Sequence, residues 1–241
     1  MRYAVFSDVH SNLEALEAVL QALQGERVDQ LLCAGDSVGY GADPATCLEL
    51  LERSVHHMVC GNHDLAVADR MDLDWFNKPA QAAALWTRAV LPSERRRYFK
   101  ELPLVWKDSQ VTLVHGSLNE PEQFHYVLDA EAALKSLRIQ ETPVAFIGHT
   151  HLPGAYIEEG GRVTFHRFSR MEVPPSGKLL VNVGSVGQPR DGDPRAAYCI
   201  YDSQAGELSI RRLPYPIAQA QAKIRKAGLP ELFADRLAHG Y

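Results

Sequence analysis

Apolar runs that stop at Asp, Asn, His or Gly recur along this chain, and they constrain its fold more than any other feature. Y-A-V-F-S runs into Asp8 and His10, and L-L-C-A-G runs into Asp36. H-H-M-V-C leads to Asn62 in G-N-H-D, V-T-L-V closes on His115, and V-A-F-I precedes the G-H-T-H that holds His149 and His151. A buried strand ending in a short polar loop presents its last side chains at one edge of a sheet. Five such loops, each carrying Asp, Asn or His, describe a metal centre assembled from most of the chain.

The spacing between these runs predicts how the elements alternate. Tyr3 to Ser7 reads as a strand, followed by a helix capped by Asn12, with Leu13, Leu16, Val19, Leu20 and Leu23 at helical spacing and an end at Gly25. Gln30 to Ala34 is a second strand. Asp43 and Pro44 start a helix reaching Glu52, and Val55 to Cys60 is a third strand. Such alternation builds βαβ units and a largely parallel sheet. The middle is helical: an alanine-rich stretch from Asn77 to Leu91, then a charged helix from Ser93 to Leu102 that begins with a cap. A hairpin follows, Leu104 to Lys107 and Val111 to His115, turning at Asp108-Ser109, then a helix near Asp129 to Leu137 and the strand Val144 to Ile147. The last third predicts strands at 155–157, 163–168, 179–183, 197–201 and 208–213, and one helical stretch from Ile217 to Leu237. The expected fold class is α/β, with two sheets packed as a sandwich and helices outside.

A length of 241 residues suits one large domain or two small ones. With no internal repeat, low-complexity tract or linker, residues 1–241 read as a single domain. The net charge of −5 provides no basic footprint for long nucleic acids, so small phosphorylated molecules, nucleotides included, are the expected partners. Cys33, Cys47, Cys60 and Cys199 form no C-x-x-C pair and read as reduced structural thiols rather than redox or metal groups. No secretory leader or membrane-spanning run is visible, and the expected location is the cytoplasm.

The donor chemistry can be read residue by residue. Asp8 and His10 are two apart, so an extended segment would project both from one face. Asp36 has two oxygens and can bridge a pair of cations. His149 and His151 share the two-residue spacing, Asn62 offers a neutral oxygen and His115 an imidazole. This mixed set favours two divalent or transition ions such as manganese, iron or zinc over magnesium. Three decoys fall away. Ser185 in V-G-S-V-G lacks the nucleophile-elbow pattern, no G-K-[ST] follows, and Asp191 with Asp193 lacks the rest of a calcium loop.

In the order D-x-H, G-D, G-N-H-D, H-G and G-H-x-H, the chain resembles the calcineurin-like metallophosphoesterases, with motifs spanning Asp8 to His151. The resemblance implies a β-sandwich flanked by helices, with one metal on Asp8, His10, Asp36 and His151. The other would sit on Asp36, Asn62, His115 and His149, with Asp36 bridging. It also implies that His63 is the catalytic histidine and that Asp64 orients it. Two cations roughly 3.5–4 Å apart would activate a bridging water for in-line attack on phosphorus, and His63 would protonate the departing oxygen or stabilise its charge.

Departures from the family pattern narrow the substrate. The protein-phosphatase branch has G-D-x-x-D-R-G, whereas this chain has Gly39 and Tyr40 at the Asp-Arg positions. Arg190, in the Gly/Pro loop after Asn182, is either a substitute phosphate contact or a surface cation. Tyr40 either stacks on a base or packs. Similar loops occur in the small bacterial branch of phosphodiesterases and diadenosine-tetraphosphatase relatives. The expected activity is thus phosphodiester or dinucleoside-polyphosphate hydrolysis. The alternatives are a protein phosphatase or phosphomonoesterase, a repair-type nuclease, and a non-catalytic scaffold like the retromer subunit of this fold, which lacks an equivalent of His63. Trp75, Phe76 and Trp86 near the alanine-rich helix either cover the sandwich or form a subunit contact.

Overall fold

Unbroken apolar strands arise where both faces of a sheet are covered. A computed structural model describes residues 1–174 and 177–241. In β1 (Arg2–Phe6), Tyr3 and Val5 face a second sheet while Ala4 and Phe6 face helices. In β2 (Gln30–Cys33), Leu32 joins the inner set, and Leu31 and Cys33 join the outer. A period of two with both sets apolar is the pattern of doubly covered strands.

Two six-stranded sheets result. The first runs β3 (His57–Met58), β2, β1, β11 (Ala196–Asp202), β12 (Glu207–Leu213), β9 (Arg170–Glu172). The second runs β4 (Val105–Lys107), β5 (Val111–Val114), β6 (Val144–Ile147), β10 (Leu179–Asn182), β7 (Gly154–Glu159), β8 (Arg162–His166). β1, β2 and β3 are mutually parallel, as are β5, β6 and β10. Their inner faces meet through Val5, Leu32, Leu113, Phe146 and Val181, all fully buried. Truncating a side chain such as Phe146 to alanine in this core would cost about 3–5 kcal/mol.

Helices α1 (Leu13–Gln24), α2 (Pro44–Ser54), α4 (Lys78–Val90), α7 (Ile217–Lys226) and α8 (Glu231–His239) contribute to the cluster outside the first sheet. α6 (Ala130–Ile139) covers the second sheet through Ala133 and Leu137. The α/β sandwich expected from the sequence is thus the fold observed. Asn12 does cap α1, its Oδ1 accepting the Ala15 N–H at 3.2 Å, while its amide donates to the Gly187 carbonyl at 2.8 Å.

Several boundaries differ from the sequence reading. The final helical stretch is two helices, because Gly228 takes a left-handed φ of 69° and Pro230 starts α8. The strand expected over Val55 to Cys60 shrinks to His57–Met58: the Val59 N–H still donates to the Cys33 carbonyl at the end of β2, but the Cys60 N–H leaves the ladder for the Pro103 carbonyl at 2.9 Å. The charged helix is only α5 (Ser93–Tyr98), and Ser93 does not cap it. The G-N-H-D loop is itself the start of a helix, α3 (Asn62–Val67). β9, three residues with no apolar run, forms by pairing with β12. Among the described residues no helix is long and apolar enough to cross a membrane.

Candidate metal centre

All five donor loops leave the C-terminal ends of the parallel strands, β1, β2 and β3 in one sheet and β5 and β6 in the other. Beyond the strands the loops stay latched together. Asp8 N–H donates to the Gly35 carbonyl at 3.0 Å, His10 N–H to that of Asp36 at 3.0 Å, and Gly148 N–H to that of His115 at 2.9 Å. The two sheets are joined at this edge by the His115 Nδ1–H, which donates to the Ala34 carbonyl at 2.7 Å, and by the His149 N–H, which donates to Asp8 Oδ2 at 3.0 Å.

Close approach there requires glycine. A Cβ on Gly61 would lie 2.1 Å from Asp36 Oδ1, and one on Gly148 2.0 Å from Ser7 Oγ. The donors themselves are bent. Asp8, His10, Asp36, His149 and His151 hold φ between 49° and 66°. Asp8 and His10 therefore do not share a face of an extended segment, as their spacing suggested; left-handed turns aim them instead. Such conformations cost of order 1–3 kcal/mol each and persist where the surroundings over-determine them.

Two groups of donors form around Asp36. On one side, His10 Nε2 lies 3.7 Å from Asp36 Oδ2 and 3.6 Å from Asp8 Oδ1, and His151 Nε2 lies 3.2 Å from both Asp8 Oδ1 and His10 Nε2. On the other, His115 Nε2 is 3.2 Å from Asp36 Oδ2, Asn62 Oδ1 and His149 Nδ1. All seven predicted donors are thus brought together, with Asp36 Oδ2 between the groups. Each carboxylate has its second oxygen fixed: Asp8 Oδ2 accepts the His149 N–H at 3.0 Å, and Asp36 Oδ1 the His63 N–H at 2.8 Å.

Carbonyls set the imidazole tautomers. Nδ1–H of His10 donates to Val38 O at 3.0 Å, that of His115 to Ala34 O at 2.7 Å, and that of His151 to Gln188 O. Each ring, when neutral, therefore turns its Nε2 lone pair inward. Burial alone would raise the Asp8 carboxyl, but His151, His10 and His115 carry it well below its usual range. Burial opposes protonation of His115, yet the Asp36 carboxylate outweighs it and lifts that ring to about 9. Burial and Arg190 lower His151 to about 4. Asp8 Oδ1 has no hydrogen-bond partner. An orphaned carboxylate oxygen among inward lone pairs fits a cation pair: a cation would take the place of the His115 proton and satisfy Asp8.

His63 and Asp64 lie beside this cluster but do not form a pair. The Asp64 carboxylate accepts N–H bonds from Gly61, Asp36, Ser37 and Val38, and the Ser37 hydroxyl at 2.7 Å. Burial and the Asp36 charge raise it to about 6. The expectation that Asp64 orients His63 is corrected: the ring is held by Tyr40, whose hydroxyl lies 2.9 Å from His63 Nε2. Burial lowers His63 to about 3, and its Nδ1 has no partner. Tyr40 packs against His10 at 4.4 Å, His63 at 4.4 Å and Phe233 at 4.6 Å, with the Arg190 guanidinium 5.7 Å from its ring centre. These tilted and edge-on contacts fix the Tyr40 ring, which is half-buried and lines the cleft beside the donors. Arg190 is placed at the centre and is held by Gln188 Oε1 at 2.8 Å.

Sequence reasoning missed three contributors. Asn182 donates to the Gly148 carbonyl at 2.7 Å and to Thr150 Oγ1 at 2.8 Å, shaping the loop that carries His149 and His151. The Gln188 carbonyl orients His151, and no sequence signal marks a backbone group for that task. Tyr126 stacks on His149 at 3.9 Å and 17°. Beside the donors opens a cleft of about 300 Å³ whose lining includes His63, His149, Trp75, Phe76 and Tyr126. Trp86 packs against the outer core, as a covering residue would.

The calcineurin-like phosphoesterase superfamily domain profile matches residues 1–206. An uncharacterised protein of Methanocaldococcus jannaschii is 38% identical over 238 residues, 97% of this chain and 96% of its own. The phosphodiesterase YfcE of Escherichia coli is 28% identical over 213 residues, 84% of this chain and 88% of that protein. A crystal structure of a metallophosphoesterase from Sphaerobacter thermophilus aligns with a TM-score of 0.89 at 41% identity, covering 100% of this chain and 99% of that one.

Proposed function

The chain belongs to the calcineurin-like phosphoesterase superfamily, and on that premise we propose that it is a dinuclear phosphodiesterase acting on small substrates. It is a metal-dependent phosphoesterase; the cation pair, its ligands and the diester preference are the proposal. The observation carrying it is Asp36 Oδ2, set between His10 at 3.7 Å and His115 at 3.2 Å. Asp8, His10, Asp36 and His151 would hold one cation, and Asp36, Asn62, His115 and His149 the other. The mixed nitrogen and oxygen set suits manganese, iron or zinc. When bound, such a pair supplies an activated water and neutralises charge on a phosphoryl group.

The chain's own groups do the rest. His63 lines the cleft, and its ring, kept neutral by burial, donates Nε2–H to stabilise the charge on the departing oxygen, with Tyr40 on that nitrogen in the resting state. Arg190, aimed by Gln188, contacts the phosphoryl oxygens. Asp64 acts through the backbone, keeping the Asp36 loop and the start of α3 in place. The similarity to a phosphodiesterase supports the diester preference, and Gly39 with Tyr40 in place of an Asp-Arg pair weighs against phosphoprotein substrates. Residues 1–241 act as one domain, in a cytoplasm that keeps the four buried thiols reduced.

The test is a panel of an aryl phosphomonoester, an aryl phosphodiester, diadenosine tetraphosphate and a phosphopeptide. Each would be assayed with manganese, iron, zinc or magnesium, alongside metal analysis. The expected result is two cations per chain and the fastest turnover on a diester or on the dinucleotide. A chain that binds one cation at most, or hydrolyses none of the four esters, would overturn the reading.

A further inference from the structure

The cleft beside the donors has a chemistry of its own. Among the described residues, those lining it include no Lys, Arg, Asp or Glu. A cleft built to follow a polyphosphate tail or an acidic peptide would carry cations; this one carries rings. Trp75 and Phe76 come from the segment between α3 and α4, and Phe124 and Tyr126 from the loop between β5 and α6. Trp75 is 65% exposed and Tyr126 53% exposed, large aromatic surfaces left open to solvent at the mouth of a catalytic cluster. One face of Tyr126 lies on His149, which fixes the ring; Phe76 meets His63 edge-on at 5.0 Å. The amide of Gln123 and the unused amide N–H₂ of Asn77, whose Oδ1 caps α4, add neutral hydrogen-bonding groups.

The second loop holds this shape under strain. Phe124 is fixed at φ 49°, an uncommon conformation for a bulky residue, and is buried against Gly116. Strain of this kind persists where it places a neighbour, and the neighbour two residues on is Tyr126. Open aromatic faces, neutral polar edges and no ammonium, guanidinium or carboxylate match a flat, uncharged ring with hydrogen-bonding edges.

We infer that this cleft is a nucleobase subsite, built on Trp75 and Tyr126, that selects phosphoesters carrying a nucleoside. The inference rests on the phosphoesterase reading of the adjoining donors, and it names the substrate class. Phosphorus at the donors leaves the nucleoside one short reach away, with its base against the exposed rings.

Two esters that share a leaving group and a charge test it: p-nitrophenyl thymidine 5′-phosphate and p-nitrophenyl ethyl phosphate, with the manganese enzyme. Stacking of a base on such rings predicts a kcat/KM preference for the nucleoside ester of roughly tenfold or more. Trp75→Ala and Tyr126→Ala should each lower that preference by about tenfold, and Trp75→Phe should keep most of it. An independent readout is tryptophan fluorescence titrated with thymidine 5′-phosphate. It should saturate in the natural protein and weaken about tenfold in Tyr126→Ala, where Trp75 remains as reporter. Equal hydrolysis of the two esters, a preference untouched by the substitutions, or faster turnover of a phosphotyrosyl peptide would sink the subsite alone. Failure of both esters to react would strike the phosphoesterase reading first.

Discussion

His63 serves the site twice, through different atoms. Its backbone N–H fixes Asp36 Oδ1 at 2.8 Å, and its ring faces the cleft beside Tyr40. Replacing the ring leaves the N–H in place, so His63→Ala should retain both cations while turnover falls by about 10²–10⁴. Metal analysis and kcat measured on the same preparation check this; undiminished turnover would remove the ring from the chemistry. The split also shows what a sequence discloses at this scale. Which side chains gather was legible, because Asp, Asn and His at the ends of apolar runs converge where parallel strands share one edge. Aim was not: five of the seven donors are turned inward by left-handed backbone, which spacing does not encode. The misreading of Asp64 has the same origin. Adjacency to His63 suggested a side-chain pair, but the first turn of a helix points that carboxylate back to the backbone.

At the element scale, Asp64 joins the start of α3 to the loop after β2. Four backbone N–H groups and one hydroxyl converge on it, all buried. Asp64→Ala strands those donors in the interior, and since each unsatisfied group costs about 1–3 kcal/mol, a loss of at least about 3 kcal/mol is expected. Urea unfolding of the metal-free protein measures it, and Asp64→Asn, which keeps acceptor capacity, should recover part. A change within about 0.5 kcal/mol would mean that the loop stands without this link. Strand cores and long helices were read well, since double burial writes apolar runs and α1 carries its cap and its end in sequence. Short elements were not. α3 has six residues and β3 two, and both exist because loops from other parts of the chain fix them. The break between α7 and α8 is carried by Gly228 and Pro230, and the helical spacing that continues on both sides of them masks it in the sequence.

Across the whole molecule most phenols sit in low-dielectric surroundings, and this gives it an alkaline limit. Eight of the nine tyrosines are pushed above the ordinary value, in each case first by burial. Tyr40, Tyr98 and Tyr215 reach about 12, and the Tyr3 phenol is raised further by donating to Asp108 at 2.7 Å. A folded chain that keeps protons which the unfolded chain has released loses stability as pH rises. The contribution is intact below the unfolded value of about 10 and drains away between about pH 10 and 12. A buried phenol such as Tyr215, 8% exposed, costs the fold on the order of 1–3 kcal/mol by the upper end of that window. Several such phenols rival the whole stability of a domain. Phenolate absorbance and far-ultraviolet circular dichroism followed together against pH should therefore rise and collapse in one cooperative step above about pH 10. The buried thiols Cys33, Cys47, Cys60 and Cys199 should become reactive to a thiol reagent in the same step. Gradual ionisation of most tyrosines near pH 10 with the dichroism unchanged would show that the interior admits water freely, against the packing that brings the two sheets together.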